Sequence, residues 1–361
     1  MPCGATNEVC CGFVRFAGSP LSVSFGFGTE RPALLIPLES AVPLAEPEIV
    51  RRLEKRQPSA YLLASLRGFG QVDLQPALLT GVAILVALWV SGWETGLFAT
   101  LGTLIATATA YALAVDRAGI ALGLQGYAGC LTGIALVSSL GHHPATYVLT
   151  VLGAVMCTIL MAALGTLLAP YGLTPLTAPF CLVSGVVVVG APSFDRVWHG
   201  APNAVSSTTS GDTGISWNDL WHAFFNNVSQ IFLVEGWYVG LIMLVGLALA
   251  GLRVVLYAAA GSVAGIVAAW LLGAPTELIA NGIYGYNAVL VAIAIGAVFL
   301  ADTVWTGAYA LFGAAVTTCL TASLTSFFKP FGGHTFTWPF ILTTWVLMAA
   351  VPLLPRLRRS E

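Results

Sequence analysis

Long stretches of this chain carry no charged side chain and consist mainly of Leu, Val, Ala, Ile and Gly. A helix needs about 20 apolar residues to cross the roughly 30 Å hydrocarbon layer of a bilayer, so each long stretch predicts at least one membrane-spanning helix. The longest must hold several spans, which polar residues 141–144 and turn-forming residues 170–172 divide. The uncharged stretches are residues 74–93, 95–115, 118–194, 236–252, 254–276, 278–301, 303–328 and 330–355.

Three short motifs occur twice along the chain, in the same order and either 159 or 160 residues apart. Three ordered motifs at one offset rarely arise by chance, so the chain contains an internal repeat. The paired copies are Gln71 and Gly81 with Gln230 and Gly240, Gly126-Tyr127 and Leu131 with Gly285-Tyr286 and Leu290, and Thr177-Ala178-Pro179-Phe180 with Thr337-Trp338-Pro339-Phe340.

The repeat divides the chain into two halves, residues 59–191 and 218–355, joined by a polar linker of residues 192–217. We count five spans in each half plus one segment that is too short to cross, residues 118–125 and 276–284. Each short segment is either a re-entrant half-helix, with ends buried in protein or facing water, or an ordinary interfacial loop. We favour the half-helix and predict an all-α polytopic membrane protein of two inverted repeats, each with five transmembrane helices plus one re-entrant half-helix.

The distribution of Lys and Arg predicts the orientation. An odd number of spans per half makes the second half enter the membrane from the opposite side. With a cytosolic N-terminus, twelve basic residues fall in inside segments and two, Arg196 and Lys329, in outside segments. We therefore expect a multi-pass plasma-membrane protein, or a bacterial inner-membrane protein if the source is prokaryotic, with an extracytoplasmic linker. Residues 1–58 would form a poorly ordered cytosolic tail and residues 356–361 a cytosolic C-terminus.

The composition excludes several classes of protein. Apolar residues make up 57% of the 361 residues, charged residues make up 8%, and the mean hydropathy is +0.87, which rules out a soluble globule. The net charge of −2 offers no basic surface to nucleic acid. The sequence has no HExxH, GxSxG, Walker or dinucleotide-binding motif, and its seven cysteines form no CxxC pair. We therefore predict neither an enzyme nor a protein with a metal or cofactor.

Acidic residues are scarce inside the predicted spans, where secondary active transport usually needs them. Only Asp73 and Glu235 remain near the two mouths of a path between the halves. We therefore expect a small, neutral, polar solute, because a hydrated ion would lose too much solvation there. The alternative is a secondary active transporter of a small neutral amide or related solute, with Asp73 or Glu235 as its proton or sodium site. Four other acidic residues fall at the ends of predicted spans and not inside them: Glu94, Asp116, Glu277 and Asp302.

Residues that match between the halves are the candidates for lining this path. A proline early in a span frees backbone groups of the preceding turn, and an adjacent threonine either satisfies those groups or presents its hydroxyl to a solute. A single threonine, tyrosine or leucine usually only packs, whereas recurrence at matched positions favours lining. The candidate pairs are Thr177 and Thr337, Tyr127 and Tyr286, Leu131 and Leu290, and Gln71 and Gln230.

Four motifs carry a resemblance to a known family. They are Gly68-Phe69-Gly70-Gln71-Val72, Gln230-Ile231-Phe232-Leu233-Val234-Glu235, Gly285-Tyr286-Asn287-Ala288-Val289-Leu290 and Thr337-Trp338-Pro339-Phe340. Over residues 59–355 the sequence resembles the urea transporter family of trimeric urea channels. The resemblance implies a passive, selective channel for urea, with one pore in each subunit of a homotrimer surrounded by membrane lipid.

In that family urea passes flattened between apolar side chains, while its N–H groups meet a ladder of oxygen acceptors. Two departures stand in the first half: Leu74 where the family often has an aromatic residue, and Ala128 where the second half keeps Asn287. By motif position, the resemblance implies two apolar slots, formed by Leu74, Tyr127 and Leu131 and by Leu233, Tyr286 and Leu290, a central constriction at Thr177 and Thr337, and ladder ends at Gln71 and Gln230.

Overall fold

The arrangement of the helices comes from a computed structural model, which describes residues 57–200 and 214–360. The predicted N-terminal tail, up to residue 56, and the middle of the predicted linker lie outside the described residues. Within the described ranges the chain is helical, and the one β-bridge there, between Leu300 and Arg359, belongs to no strand. This confirms the all-α class predicted from the sequence.

Seven α-helices precede the linker and seven follow it within the described residues. The first set is α1 (Gln57–Gln71), α2 (Leu78–Ser91), α3 (Trp93–Ala112), α4 (Arg117–Ala121), α5 (Tyr127–Leu140), α6 (Pro144–Leu168) and α7 (Ala178–Gly190). The second set is α8 (Trp217–Ser229), α9 (Trp237–Ala250), α10 (Leu252–Leu271), α11 (Thr276–Ala280), α12 (Tyr286–Ala292), α13 (Val304–Phe328) and α14 (Trp338–Ala350). A π-helix, Ile293–Phe299, continues α12. The order of long and short helices is the same in both sets.

By length and hydropathy, four helices in the described residues can cross a bilayer. Two are α3 and α10, and the other two are α6 and α13, each counted with the 3-10 turn that follows it. The helix pair α8 and α9 forms a fifth candidate, bent by 76°. The chain is therefore a multi-pass helical membrane protein, and the count of ten spans stays a prediction. The shorter apolar helical segments are Leu78–Ser91, Tyr127–Leu140, Ala178–Ser193, Tyr286–Phe299 and Trp338–Leu353.

The two segments predicted as half-helices overlap α4 and α11, which have only five residues each and are shorter than expected. A matched side chain on α1 or α8 holds the end of each segment. Arg67 Nη1 donates to the carbonyl of Ala121 at 2.9 Å, and Asn226 Nδ2 donates to the carbonyl of Ala280 at 2.8 Å. Both carbonyls belong to the last residue of their helix, where no intrahelical donor remains. The structure therefore anchors the two short helices in the same way.

Matched glycines allow two helix pairs to touch through their backbones. A Cβ added to Gly81 on α2 would lie 1.9 Å from the carbonyl oxygen of Leu66, and one on Gly240 of α9 would lie 2.0 Å from that of Phe225. Small residues permit such close approach of membrane helices. The packing of α1 against α2 and of α8 against α9 therefore depends on glycine at these positions.

We predict that Gly240→Ala destabilises the protein, since its methyl group must displace the α8 backbone. Overpacking of this kind costs about 1–3 kcal/mol or more. Gly185→Ala on α7 is the matched control, because nothing lies within 4 Å of the position of its added Cβ. Thermal unfolding in detergent should show a lower midpoint for Gly240→Ala and an unchanged or higher one for Gly185→Ala. Equal midpoints for the two variants would contradict this account of the packing.

Candidate functional site

The two halves meet at a pair of threonine hydroxyls. Thr177 and Thr337 immediately precede α7 and α14, and their Oγ1 atoms lie 2.6 Å apart. Only 2% of Thr177 and 1% of Thr337 is exposed. Neither hydroxyl caps its own helix. The matched threonines singled out from the sequence are therefore in direct contact, each directed at its counterpart.

The residue before each threonine has an unusual backbone conformation. Leu176 has φ 50° and Phe336 has φ 43°, values that residues other than glycine rarely adopt. Their carbonyls accept hydrogen bonds of 2.5 Å from the hydroxyls of Tyr127 and Tyr286 respectively. Conformations of this kind persist where surrounding contacts enforce them. The two tyrosines thus brace the turns that carry the threonines.

The bracing differs between the halves at the residue after each tyrosine. Asn287 Nδ2 lies 3.4 Å from the carbonyl of Phe336, and its Oδ1 accepts from the backbone N–H of Phe340 at 3.3 Å. Ala128 occupies the matched position in the first half and has no polar side-chain atom. The turn of the second half therefore has a second side-chain donor that the turn of the first half lacks.

The apolar residues assigned to the two slots belong to, or pack against, one large buried cluster, which also contains the residues next to the threonines, Leu176, Ala178 and Phe336. Leu131 and Leu290 lie one helical turn after the tyrosines and are fully buried. Leu74 and Leu233 pack against the same cluster, and both have left-handed backbones, with φ 61° and 57°. All six residues assigned to the slots therefore lie in or against one large apolar cluster, and their role as slot walls stays a prediction: Leu74, Tyr127, Leu131, Leu233, Tyr286 and Leu290.

The two glutamines differ in their surroundings. Gln71 is buried, and its Nε2 donates to the carbonyl of Leu122 at 2.8 Å. Gln230 is half-buried and begins the 3-10 turn after α8. Their assignment to the ends of an oxygen ladder stays a prediction.

Three polar side chains near the threonine pair were missed by the sequence reasoning. Cys181 Sγ lies 3.2 Å from the hydroxyl of Thr337. Ser184 and Thr344 are matched residues, 160 apart, and each lies seven residues after its threonine. Residues at positions i, i+4 and i+7 share one face of a helix. Both hydroxyls are buried without a hydrogen-bond partner in the described structure, and the seven-residue spacing was the available signal.

One carboxyl group interrupts this neutral region. Asp73, which the sequence places near a mouth of the path, is fully buried, and neither carboxylate oxygen has a hydrogen-bond partner among the described residues. Its matched residue is the fully buried Phe232. Glu235, in contrast, is exposed. The two halves therefore differ in polarity just before their matched leucines.

Within the described residues, no group of three or more His, Cys, Asp and Glu side chains is placed to hold a metal ion. The site is a buried set of hydroxyls within an apolar surround. Such a site offers hydrogen bonds to a neutral solute and no compensation for a full charge.

A comparison with protein families matches residues 62–352 to the model described as "Urea transporter". The chain belongs to the urea transporter family. The match includes every residue of the site described above. Members of this family are transporters rather than enzymes, which confirms both the resemblance and the absence of an enzymatic role inferred from the sequence.

Several curated relatives carry the name "Urea transporter 1". The protein from sheep, Ovis aries, is 32% identical over 303 residues, which cover 82% of this chain and 78% of the sheep protein. The goat protein, from Capra hircus, is 31% identical over the same length and coverage. The protein from rat, Rattus norvegicus, is 30% identical over 302 residues, 81% of this chain and 78% of its own.

The unequal bracing of the two turns leads to a prediction. Tyr127→Phe leaves the Leu176 carbonyl without its hydroxyl donor, and a buried unsatisfied polar group costs about 1–3 kcal/mol. Tyr286→Phe should cost less, because Asn287 still offers a donor to the matched carbonyl of Phe336. Chemical or thermal unfolding of the two variants measures the difference. A larger loss of stability for Tyr286→Phe than for Tyr127→Phe would contradict the assigned roles.

Proposed function

We propose that this protein is a passive, selective urea channel with one pore in each subunit. The contact between the hydroxyls of Thr177 and Thr337 is the observation that carries the proposal. It supplies a buried polar point between the two halves, beside members of the large apolar cluster such as Ala178 and Cys181. Membership of the urea transporter family supports urea as the solute.

Urea fits such a path on physical grounds. It is planar, and apolar side chains above and below its plane can contact its two faces without offering hydrogen bonds. Loss of water is tolerable only if each N–H group finds an acceptor along the way. The hydroxyls of Thr177, Thr337, Ser184 and Thr344 would supply acceptors in line on the facing helices α7 and α14. An ion at the threonine pair would find hydroxyls and apolar side chains in place of a compensating charge, so a neutral solute is favoured there.

An inverted repeat explains why matched residues touch. A residue that contacts its own counterpart lies on the two-fold axis that relates the halves, as in any isologous interface. Further hydrogen bonds join the second half to the first: Arg359 Nη1 donates to the carbonyl of Gly172, and Trp345 Nε1 donates to that of Thr174, each at 2.8 Å. The first bond joins the segment after α14 to the turn before α7, and the second joins α14 itself to the same turn. We propose five transmembrane helices and one re-entrant segment per half on this basis.

The proposal also includes the orientation of the chain in the membrane and its oligomeric state. The twelve-to-two distribution of basic residues supports cytosolic termini and an extracytoplasmic linker in the plasma membrane, or in the bacterial inner membrane if the source is prokaryotic. Since two halves of one chain already provide both sides of a path, each subunit is complete for transport. The resemblance to trimeric channels supports a homotrimer with three separate pores.

A second candidate function, secondary active transport of a small neutral amide, is favoured by Asp73. A buried carboxyl without partners in the described structure is an expected feature of a proton or sodium site. Its position beside Leu74 would place it next to the path. The absence of an acidic counterpart at Phe232 favours the channel, because only one half carries the group.

The hydroxyl pair leads to the main functional prediction. Thr177→Val and Thr337→Val preserve the side-chain shape and remove a hydrogen-bond partner, which should cost a desolvated amide about 1–3 kcal/mol. If this site is the barrier, urea flux falls roughly 5- to 150-fold. Stopped-flow urea efflux from proteoliposomes measures the change, with Thr166→Val on the exposed face of α6 as control. Normal flux in both folded variants would mean that the threonines only pack.

Passive and active transport predict different responses to a proton gradient. A channel lets urea equalise across the liposome membrane at any gradient, and Asp73→Asn should leave that behaviour unchanged. The measurement is radiolabelled urea uptake into proteoliposomes with and without an imposed pH difference. Gradient-driven accumulation that disappears in Asp73→Asn would establish the carrier and eliminate the channel.

A further inference from the structure

An apolar groove lies on the outer surface of the helices, away from the threonine pair. Its volume is about 530 Å³, within the range of pockets that hold a single small ligand. One wall is a single face of α13, and the other is the segment that follows α14. The lining residues are Trp305, Ala308, Tyr309, Phe312, Leu354, Pro355, Arg356 and Leu357.

The groove is hydrocarbon-like along its length and cationic at one end. Trp305 and Phe312 are more than half exposed. The guanidinium carbon of Arg356 lies 4.3 Å from the centre of the Trp305 ring, which holds the cation over the aromatic face. Arg358 and Arg359 are also exposed beside it in the chain. Arg356 therefore supplies a guanidinium group at the end of the groove, and two further arginines follow it within three residues of the chain.

These positive charges are not neutralised by carboxylates within the described part of the chain. The salt bridges found there join His142 to Glu94 and Arg253 to Asp302. Arg359 uses one N–H group on the carbonyl of Gly172, and Arg356 stacks on its tryptophan. Guanidinium groups match phosphate oxygens through paired hydrogen bonds. The rim of the groove is thus built to receive an anion.

We propose that this groove binds one anionic phospholipid, with an acyl chain along the face of α13 and the phosphate at Arg356. A membrane protein meets phospholipid along its whole surface, but the combination of an apolar groove with an unneutralised arginine cluster selects an anionic head group. Basic residues at a membrane surface favour anionic lipids by electrostatic attraction. Lipid binding in this groove does not depend on which solute the protein transports, so its test is independent of the tests of urea transport.

The internal repeat supplies a matched control. Arg196 lies 160 residues before Arg356 and follows Asp195, whereas Arg356 follows Pro355. The residue that matches Trp305 is Ala145, which offers no aromatic ring to an arginine. The first half therefore has the cation without its aromatic support and with a neighbouring carboxylate.

The test uses the purified full-length chain in detergent after delipidation. Native mass spectrometry with dioleoyl phosphatidylglycerol and dioleoyl phosphatidylcholine measures how tightly each lipid binds. We expect the anionic lipid to bind about five-fold more tightly per arginine that it contacts. Arg356→Gln should remove most of this preference, and Arg196→Gln should keep it. Ala308→Trp should fill the groove and weaken binding of the anionic lipid without changing any charge.

Four results would overturn the proposal. The first is equal binding of the two lipids by the unmodified protein. The second is an unchanged preference in both Arg356→Gln and Ala308→Trp. The third is a change of oligomeric mass in Ala308→Trp with lipid preference intact, which would make the groove a contact between copies of the chain. Competition by inorganic phosphate at equal concentration would equally argue for a simple anion site without a lipid.

Discussion

The hydrogen bond between the hydroxyls of Thr177 and Thr337 is the contact on which the rest of the site depends. It joins the two halves at matched residues, so it fixes their relative position where α7 and α14 begin. The left-handed turns at Leu176 and Phe336 place the threonines there, and tyrosine hydroxyls hold those turns. Leu131 and Leu290 lie one helical turn after these tyrosines and are fully buried in the same apolar cluster.

The symmetry between the halves is incomplete, and the differences are chemical rather than geometric. Asn287 faces a turn that Ala128 cannot brace, and Asp73 takes the position that Phe232 fills in the second half. The backbone conformations nevertheless repeat, as the positive φ values at Leu74 and Leu233 show. The two halves therefore share one backbone plan and differ in the side chains that it carries.

Much of the fold followed from the sequence, because charge-free stretches and ordered motifs report directly on membrane spans and on an internal repeat. The threonine pair could also be predicted from the sequence, since the recurrence of Thr-x-Pro-Phe singled out two residues that are in contact in the structure. Family membership then confirmed the resemblance carried by those motifs. The predicted topology, oligomeric state and ladder ends stay predictions.

Other features could not be predicted, because they depend on contacts between distant segments. Burial of Asp73 reflects packing of several helices around one turn, which composition alone does not encode. The last carbonyls of α4 and α11 are satisfied by side chains of α1 and α8 that donate hydrogen bonds to them. Left-handed conformations at Leu176 and Phe336 oppose local preference and exist because tertiary hydrogen bonds stabilise them.

The central claim is that the contact between the two threonines lies on the transport path, and a reversible cross-link tests it most directly. The variant Thr177→Cys with Thr337→Cys, in a Cys181→Ser background, places two thiols where the hydroxyls now touch, within reach of a disulfide. We predict that oxidation blocks urea efflux from proteoliposomes and that a reductant restores it, whereas each single cysteine variant stays insensitive. A disulfide that forms without reducing urea efflux would contradict the account.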